Sequence, residues 1–188
     1  MKTLANMKSL ASSPSAPPKL SPAAAAAIAS CAFTIPLALS ASSSPAPNHP
    51  RTMAWYLSLR EPAFKPPDWS FPLAWTGIEA ALAIAAYRLL RKAPSAQRSK
   101  ALALLGWNVF MIGGWSRLFF KRHDLGVSTV VAATMVASSV AFVKAAKPVD
   151  RTASRAGLPL VGWLGFATVL TATIWAMNSG RRRVQEPV

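Results

Sequence analysis

The residues of this 188-residue chain best equipped for chemistry are its seven tryptophans and one isolated glutamate. Trp55, Trp69, Trp75, Trp107, Trp115, Trp163 and Trp175 offer large flat rings, and several fall inside long apolar runs rather than at their ends. Trp55, Trp69 and Trp175 suit the headgroup level of a bilayer, where an indole keeps one wet edge. Trp75 and Trp163 each stand about one turn inside a run, where rigid rings can form facing walls of a pocket for a flat apolar ligand. Glu79 follows Trp75 by four residues and so shares its helix face. A carboxylate at such depth costs roughly 2.5–3.5 kcal/mol on insertion scales and is by default a functional-site candidate. The alternatives are that it snorkels to the interface or pairs with a cation such as Arg117. Pointing into a pocket, it would meet the ligand and make binding depend on pH.

Other chemistry is not encoded. His49 and His123 have no Cys or carboxylate at metal-ligand spacing, so no metal site is expected. No glycine-rich phosphate loop follows a strand pattern, and no Ser/His/Asp set is arranged as a triad. No cofactor is required. The single cysteine, Cys31, cannot form an internal disulfide.

The elements that must carry these residues are read from hydropathy. The chain is 52% hydrophobic and 14% charged, well short of the roughly 25% charged residues of a soluble domain. Its formal charge of +15 would, alone, suggest nucleic acid. The Lys and Arg residues instead fall between apolar runs and at the ends, as in loops that flank membrane helices, so lipid is the expected partner and nucleic acid is not. The runs 23–41, 71–90, 101–120, 125–146 and 157–178 are each about 20 residues, the length that crosses roughly 30 Å of hydrocarbon as a helix. Backbone groups in lipid must be satisfied within each segment, and no alternating barrel strands occur. The fold class is therefore an all-α, multi-pass membrane protein, a bundle of five transmembrane helices. Residues 1–22 read as a disordered basic tail and 179–188 as a basic C-terminal tail. The first run has a rival reading as a signal peptide, since LALSAS and Ile28-Ala29-Ser30-Cys31 resemble cleavage boxes. A span retained from a long leader is preferred. Lys and Arg lean slightly toward a cytoplasmic N-terminus but leave orientation open, as they do the membrane. Small residues recur every four positions at Gly77, Ala81, Ala85 and at Ala133, Ala137, Ala141, with Gly106, Gly113 and Gly114 between, a pattern of close helix contacts or of chance in an Ala-rich chain.

Trp55-Tyr56 and the stretch Pro62-Ala63-Phe64-Lys65-Pro66-Pro67-Asp68-Trp69-Ser70-Phe71-Pro72-Leu73-Ala74-Trp75-Thr76 resemble the TspO/MBR family, the tryptophan-rich sensory proteins related to the mitochondrial translocator protein. Only the first Trp of the family pattern is changed, to Phe64. Trp115-Ser116 with Phe119-Phe120, and Pro159, Trp163, Phe166-Ala167, Trp175 and Asn178, extend the likeness over about residues 23–178. The resemblance implies a five-helix bundle, often a homodimer, whose pocket is closed by the first loop and takes porphyrins, haem, sterols or benzodiazepine-type compounds. It places Trp69, Phe71, Trp75, Glu79, Asn108, Trp115, Phe119, Trp163 and Phe166 in the ligand site. It also makes Trp75 and Trp163 the catalytic pair if porphyrin is broken down in light, as in bacterial members.

This chain departs from the family pattern at Glu79, where a Tyr is usual, and at Asn108, Ile112, Leu160 and Thr171. The segment from Leu170 to Arg181 lacks the Tyr of the sterol-recognition stretch, so sterol binding is not expected. The expected function is binding with transport or sensing of a porphyrin-like or other flat apolar ligand. Light-dependent porphyrin degradation, and proton- or cation-coupled transport using Glu79, are the alternatives.

Overall fold

The computed structural model describes residues 20–180, so most of both tails lies outside the described residues. Seven helices follow one another: α1 (Pro22–Ala41), α2 (Pro50–Leu57), α3 (Ser70–Leu90), α4 (Ala96–Phe120), α5 (Leu125–Ala146), α6 (Arg151–Ala156) and α7 (Leu158–Asn178). No strand occurs among the described residues. Five helices are long, and they match the five apolar runs. Local chemistry fixes their starts. Ser21, Ser95, Asp124 and Asp150 each accept a hydrogen bond from the backbone N–H three residues on, at 3.1, 3.1, 3.0 and 2.8 Å, and so cap α1, α4, α5 and α6.

Three boundaries differ from expectation. α4 begins at Ala96 rather than 101, because Ser95 caps a first turn that is polar and therefore invisible to a search for apolar runs. The loop 42–70 is not continuous coil but contains α2, started by Pro50 at its first position. The connector 147–156 contains α6, a single polar turn held by its Asp150 cap.

Among the described residues, four helical stretches are long and apolar enough to cross a membrane: Pro22–Ala41, Ser70–Leu90, Leu125–Ala146 and Arg151–Asn178, the last joining α6 to α7. α4 is not among them. Asn108 and Arg117 interrupt its apolar character, yet it sits in the bundle with Ala101, Leu105, Val109 and Ile112 buried. Polarity is distributed as lipid demands. Ile28, Ile84, Phe110, Val130 and Val169 point outward at more than half exposure, while Glu79, Asn108, Ser116, Ser128, Ser139 and Thr171 are buried. Outward apolar and inward polar side chains mark a multi-pass membrane protein.

The long helices form a ring. α1 packs between α3 and α4, α5 packs against α4 and α7, and α3 and α7 touch only sparsely. The ring is thus splayed on the α3–α7 side. At the α1–α4 crossing a Cβ on Gly113 would stand 2.5 Å from Leu39 Cβ, so only glycine permits this approach. The other small residues behave differently. Gly77, Ala133 and Ala137 are exposed, and of the two expected rows Ala85 alone is fully buried. His123 has φ 55° and turns the chain between α4 and α5.

Candidate functional site

The splay between α3 and α7 opens a cavity of about 470 Å³, lined by α1, α3, α4, α5, α7 and the first loop. Its aromatic lining comes from residues one helical turn apart. Phe71 and Trp75 lie on α3, Trp115 and Phe119 on α4, and Trp163 on α7. Trp75 and Trp163 meet edge-to-face with ring centroids 6.2 Å apart and an interplanar angle of 82°. Phe71 meets Trp163 the same way at 5.7 Å. Trp75 and Trp163 are therefore not facing walls, as their positions suggested, but one continuous wall. Across the cavity Trp115 stacks on Phe119 at 5.0 Å, its plane fixed by a 2.9 Å hydrogen bond donated by Nε1 to the Ser128 carbonyl. Such aromatic contacts are worth about 0.5–1.5 kcal/mol each beyond area burial and hold the rings at fixed angles.

Glu79 lies one turn below Trp75, lines the cavity and is 2% exposed. It makes no ion pair among the described residues, and Arg117 is exposed. Polar atoms near it are few. Ser40 and Ser116, also in the lining, hydrogen-bond each other at 3.1 Å, and the Thr171 hydroxyl donates to Ala167 O at 2.8 Å within its own helix. The cavity is thus a largely apolar, ring-walled space with the carboxyl group of Glu79 in its depth and that of Asp68 at its mouth.

Three expected site residues lie outside the lining. Trp69 is 70% exposed at the start of α3. Asn108 is fully buried one turn deeper than Ile112 on α4, where its Nδ2 donates to Leu104 O at 2.8 Å and its Oδ1 has no partner among the described residues. Phe166 tilts against Trp163 at 5.5 Å and supports the wall from behind.

The first loop supplies the cavity mouth, and its residues carried no periodic signal. Tyr56, Lys65 and Asp68 all reach the lining. Lys65 Nζ lies 2.6 Å from Glu61 Oε1 and 2.7 Å from Asp68 Oδ1, and 4.9 Å from the Tyr56 ring centre; the Tyr56 hydroxyl donates to Asp68 Oδ1 at 2.8 Å. Burial pushes the Tyr56 phenol up to about 12, Lys65 opposing and Asp68 reinforcing the change. Burial works against the Lys65 ammonium, but the carboxylates of Asp68 and Glu61 more than offset it and its pKa rises. Asp68 is likewise opposed by burial, yet Lys65 and Tyr56 hold it below the usual carboxylate range. α2 is seated by Trp55, which stacks on His123 at 4.0 Å and meets Phe119 edge-on at 5.6 Å. Behind it the loop is tied to α7. Arg60 N donates to Asn178 Oδ1 and Asn178 Nδ2 donates back to Arg60 O, each at 3.0 Å.

Residues 27–176 match the sequence model of the TspO/MBR family. Among curated relatives, protein CrtK of Rhodobacter capsulatus is 30% identical over 136 residues, spanning 70% of this chain and 82% of the relative. The translocator protein of Sus scrofa is 27% identical over 135 residues, spanning 71% and 80%. The tryptophan-rich sensory protein of Cereibacter sphaeroides is 29% identical over 127 residues, spanning 68% and 78%.

Proposed function

This chain belongs to the TspO/MBR family, and from that premise we propose that it binds a porphyrin-like or other flat apolar ligand in the ring-walled cavity, as a transport or sensory protein. One observation carries the reading: an apolar cavity of about 470 Å³ whose walls include Phe71, Trp75, Trp115, Phe119 and Trp163. Flat rings held at fixed angles supply contact area at little entropic cost, which favours a flat ligand over a flexible one. The names of these relatives, translocator protein and tryptophan-rich sensory protein, agree with transport or sensing.

Titrating protoporphyrin IX into the purified chain while following tryptophan fluorescence tests the ligand class. Saturable quenching beyond that of free tryptophan in the same micelles is the expected result. Linear quenching indistinguishable from that control would remove tetrapyrroles from the proposal.

The reading includes five spans, with α4 crossing in the company of its neighbours. Residues 2 and 188 then lie on opposite sides of the membrane, which cysteine tagging in a Cys31→Ser background measures; labelling from one side would break the five-span count. It also includes a homodimer, checked by crosslinking in detergent.

A second reading rests on Glu79. A carboxyl group with no ion-pair partner, buried beside the ligand space, is suited to carry a proton or cation. Binding that varies with pH in the wild type and much less in Glu79→Gln would support a titrating role at the ligand, and identical profiles would return Glu79 to packing alone.

A further inference from the structure

The end of the bundle opposite the cavity mouth carries a separate groove of about 630 Å³, formed where the C-terminal ends of α3 and α5 meet the α5–α6 connector. Five cations line it: Arg88, Lys92, Lys144, Lys147 and Arg151; the one acid is Asp150. That acid is fully engaged. Arg88 Nε and Nη2 donate to its two oxygens at 2.9 and 3.0 Å, Lys92 Nζ lies 3.0 Å from Oδ2, and the Ala153 N–H donates to Oδ1 at 2.8 Å. Asp150 is 5% exposed, and its close partners are Arg88, Lys92 and the Ala153 N–H rather than Lys144, Lys147 or Arg151.

The basic residues of this face divide into two groups. Arg91 and Arg98 are structural: Arg91 donates to Leu20 O at 2.7 Å, and Arg98 caps the end of α3 through Leu89 O and Leu90 O at 2.9 and 3.2 Å. Lys144, Lys147 and Arg151 do none of this. They are exposed, make no ion pair among the described residues, and converge on one groove from a helix end and the following turn. Helix-end charge complementation accounts for Lys144, in the last turn of α5, but not for Arg151, which opens α6 and stands at the end of a helix dipole that favours anions. Three exposed cations that make no ion pair among the described residues thus surround a concavity whose one acid is already engaged.

We propose that this groove binds a phosphate-bearing anion, either the headgroup phosphate of an anionic lipid or a free phosphate. It lies beside the last turn of α3, at the end of a helix long enough to cross a membrane, the level at which a lipid phosphate would meet it. The site is independent of the cavity and of whatever the cavity holds.

The test uses the full chain in uncharged detergent, with thermal unfolding followed as phosphatidylglycerol, phosphatidylcholine or inorganic phosphate is added. Phosphatidylglycerol should raise the unfolding temperature saturably. Lys144→Gln/Lys147→Gln/Arg151→Gln should need about tenfold to a hundredfold more of it. Arg51→Gln/Lys121→Gln/Arg122→Gln, three exposed cations removed from the other end, should titrate as wild type does. If the first variant is itself less stable, Lys144→Arg/Lys147→Arg keeps the charge and must retain the lipid response. Inorganic phosphate that abolishes the lipid shift identifies a free phosphate as occupant, and failure to compete identifies the headgroup. A triple variant that titrates like wild type, an equal loss in the control variant, or an equal response to phosphatidylcholine would overturn the site.

Discussion

The two ends of the bundle each hold an ion cluster, and the clusters are inverses of one another. At the cavity mouth one cation, Lys65, sits between two acids, Glu61 and Asp68; at the far end one acid, Asp150, sits between two cations, Arg88 and Lys92. Burial distinguishes the acids. Asp68, at the edge of its cluster, is 61% exposed beside a Lys65 that is 10% exposed, whereas Asp150, at the centre of its own, is 2% exposed. Exposed pairs contribute about 0–1 kcal/mol, while removing one partner of a buried pair costs about 3–5 kcal/mol. The same chemistry therefore makes a soft closure at one end and a fixed anchor at the other. A ligand cavity needs an entrance that can open, and a bundle needs one end that does not.

The largest expected effect is at the anchor. Asp150→Ala removes the acid of the pair and the cap of α6, and should lower stability by about 2 kcal/mol or more, somewhat short of a wholly buried pair because Arg88 and Lys92 are partly exposed. Thermal unfolding in detergent measures this, and porphyrin titration should be little changed. Burial works against the Asp150 carboxylate, but Arg88, the Ala153 N–H and Lys92 hold its pKa well below the usual range. With the folded pKa depressed, its contribution is present above about pH 4 and lost as pH falls below that toward the folded value. Asp150→Asn should flatten this acid-side slope; an unchanged slope would assign the acid sensitivity elsewhere.

Next comes the cavity wall. Trp163 touches Phe71, Trp75 and Phe166, so Trp163→Leu removes the ring on which that wall turns. Affinity for protoporphyrin IX should fall about tenfold or more, by analogy with stacked bases. A fall in stability with no change in affinity would make the wall a packing unit.

Asn178→Ala should cost about 1–2 kcal/mol, felt locally, because the two bonds that hold Arg60 to α7 are lost. Amide exchange over residues 58–68 should quicken while that of α5 and α6 does not. Equal quickening at both ends would dissolve the distinction between closure and anchor.

The smallest effect belongs to Asp68→Asn, below about 1 kcal/mol, since Asp68 itself is 61% exposed, Glu61 still pairs with Lys65, and the amide oxygen can still accept from Tyr56. A loss as large as that of Asp150→Ala would show that the mouth is no softer than the anchor.

How far the sequence disclosed this arrangement varied with the kind of signal. α5 was legible to the residue because polar or basic connectors bracket an apolar run of the right length. α2 and α6 were not, since eight and six residues are too few for periodicity, and both depend on tertiary partners: the aromatic cluster for Trp55 and Tyr56, and the pairing of Asp150 for α6. Trp75, Trp163 and Glu79 were readable as pocket residues from their depth in a span and, for Trp75 and Glu79, a shared helix face, whereas Phe71, Trp115 and Phe119 were named only through the family resemblance. Asn108 shares the helix face of Ile112 but lies a turn below the cavity floor, a depth that spacing alone does not give. Tyr56, Lys65 and Asp68 come from a loop whose course is set by where it docks. Asp68 and Lys65 did sit within the motif that pointed to the family, three residues apart.

The contact of Gly113 with Leu39 ties two distant positions into one inherited unit. A methyl group at 113 would strike the Cβ of Leu39 as well as the movable tip of its side chain, so neither site can grow unless the other shrinks. In a library randomised at both, functional clones should therefore fall on a diagonal, alanine or serine at 113 accompanied by glycine at 39. Each position would look intolerant when varied alone, and permissive only as half of a pair.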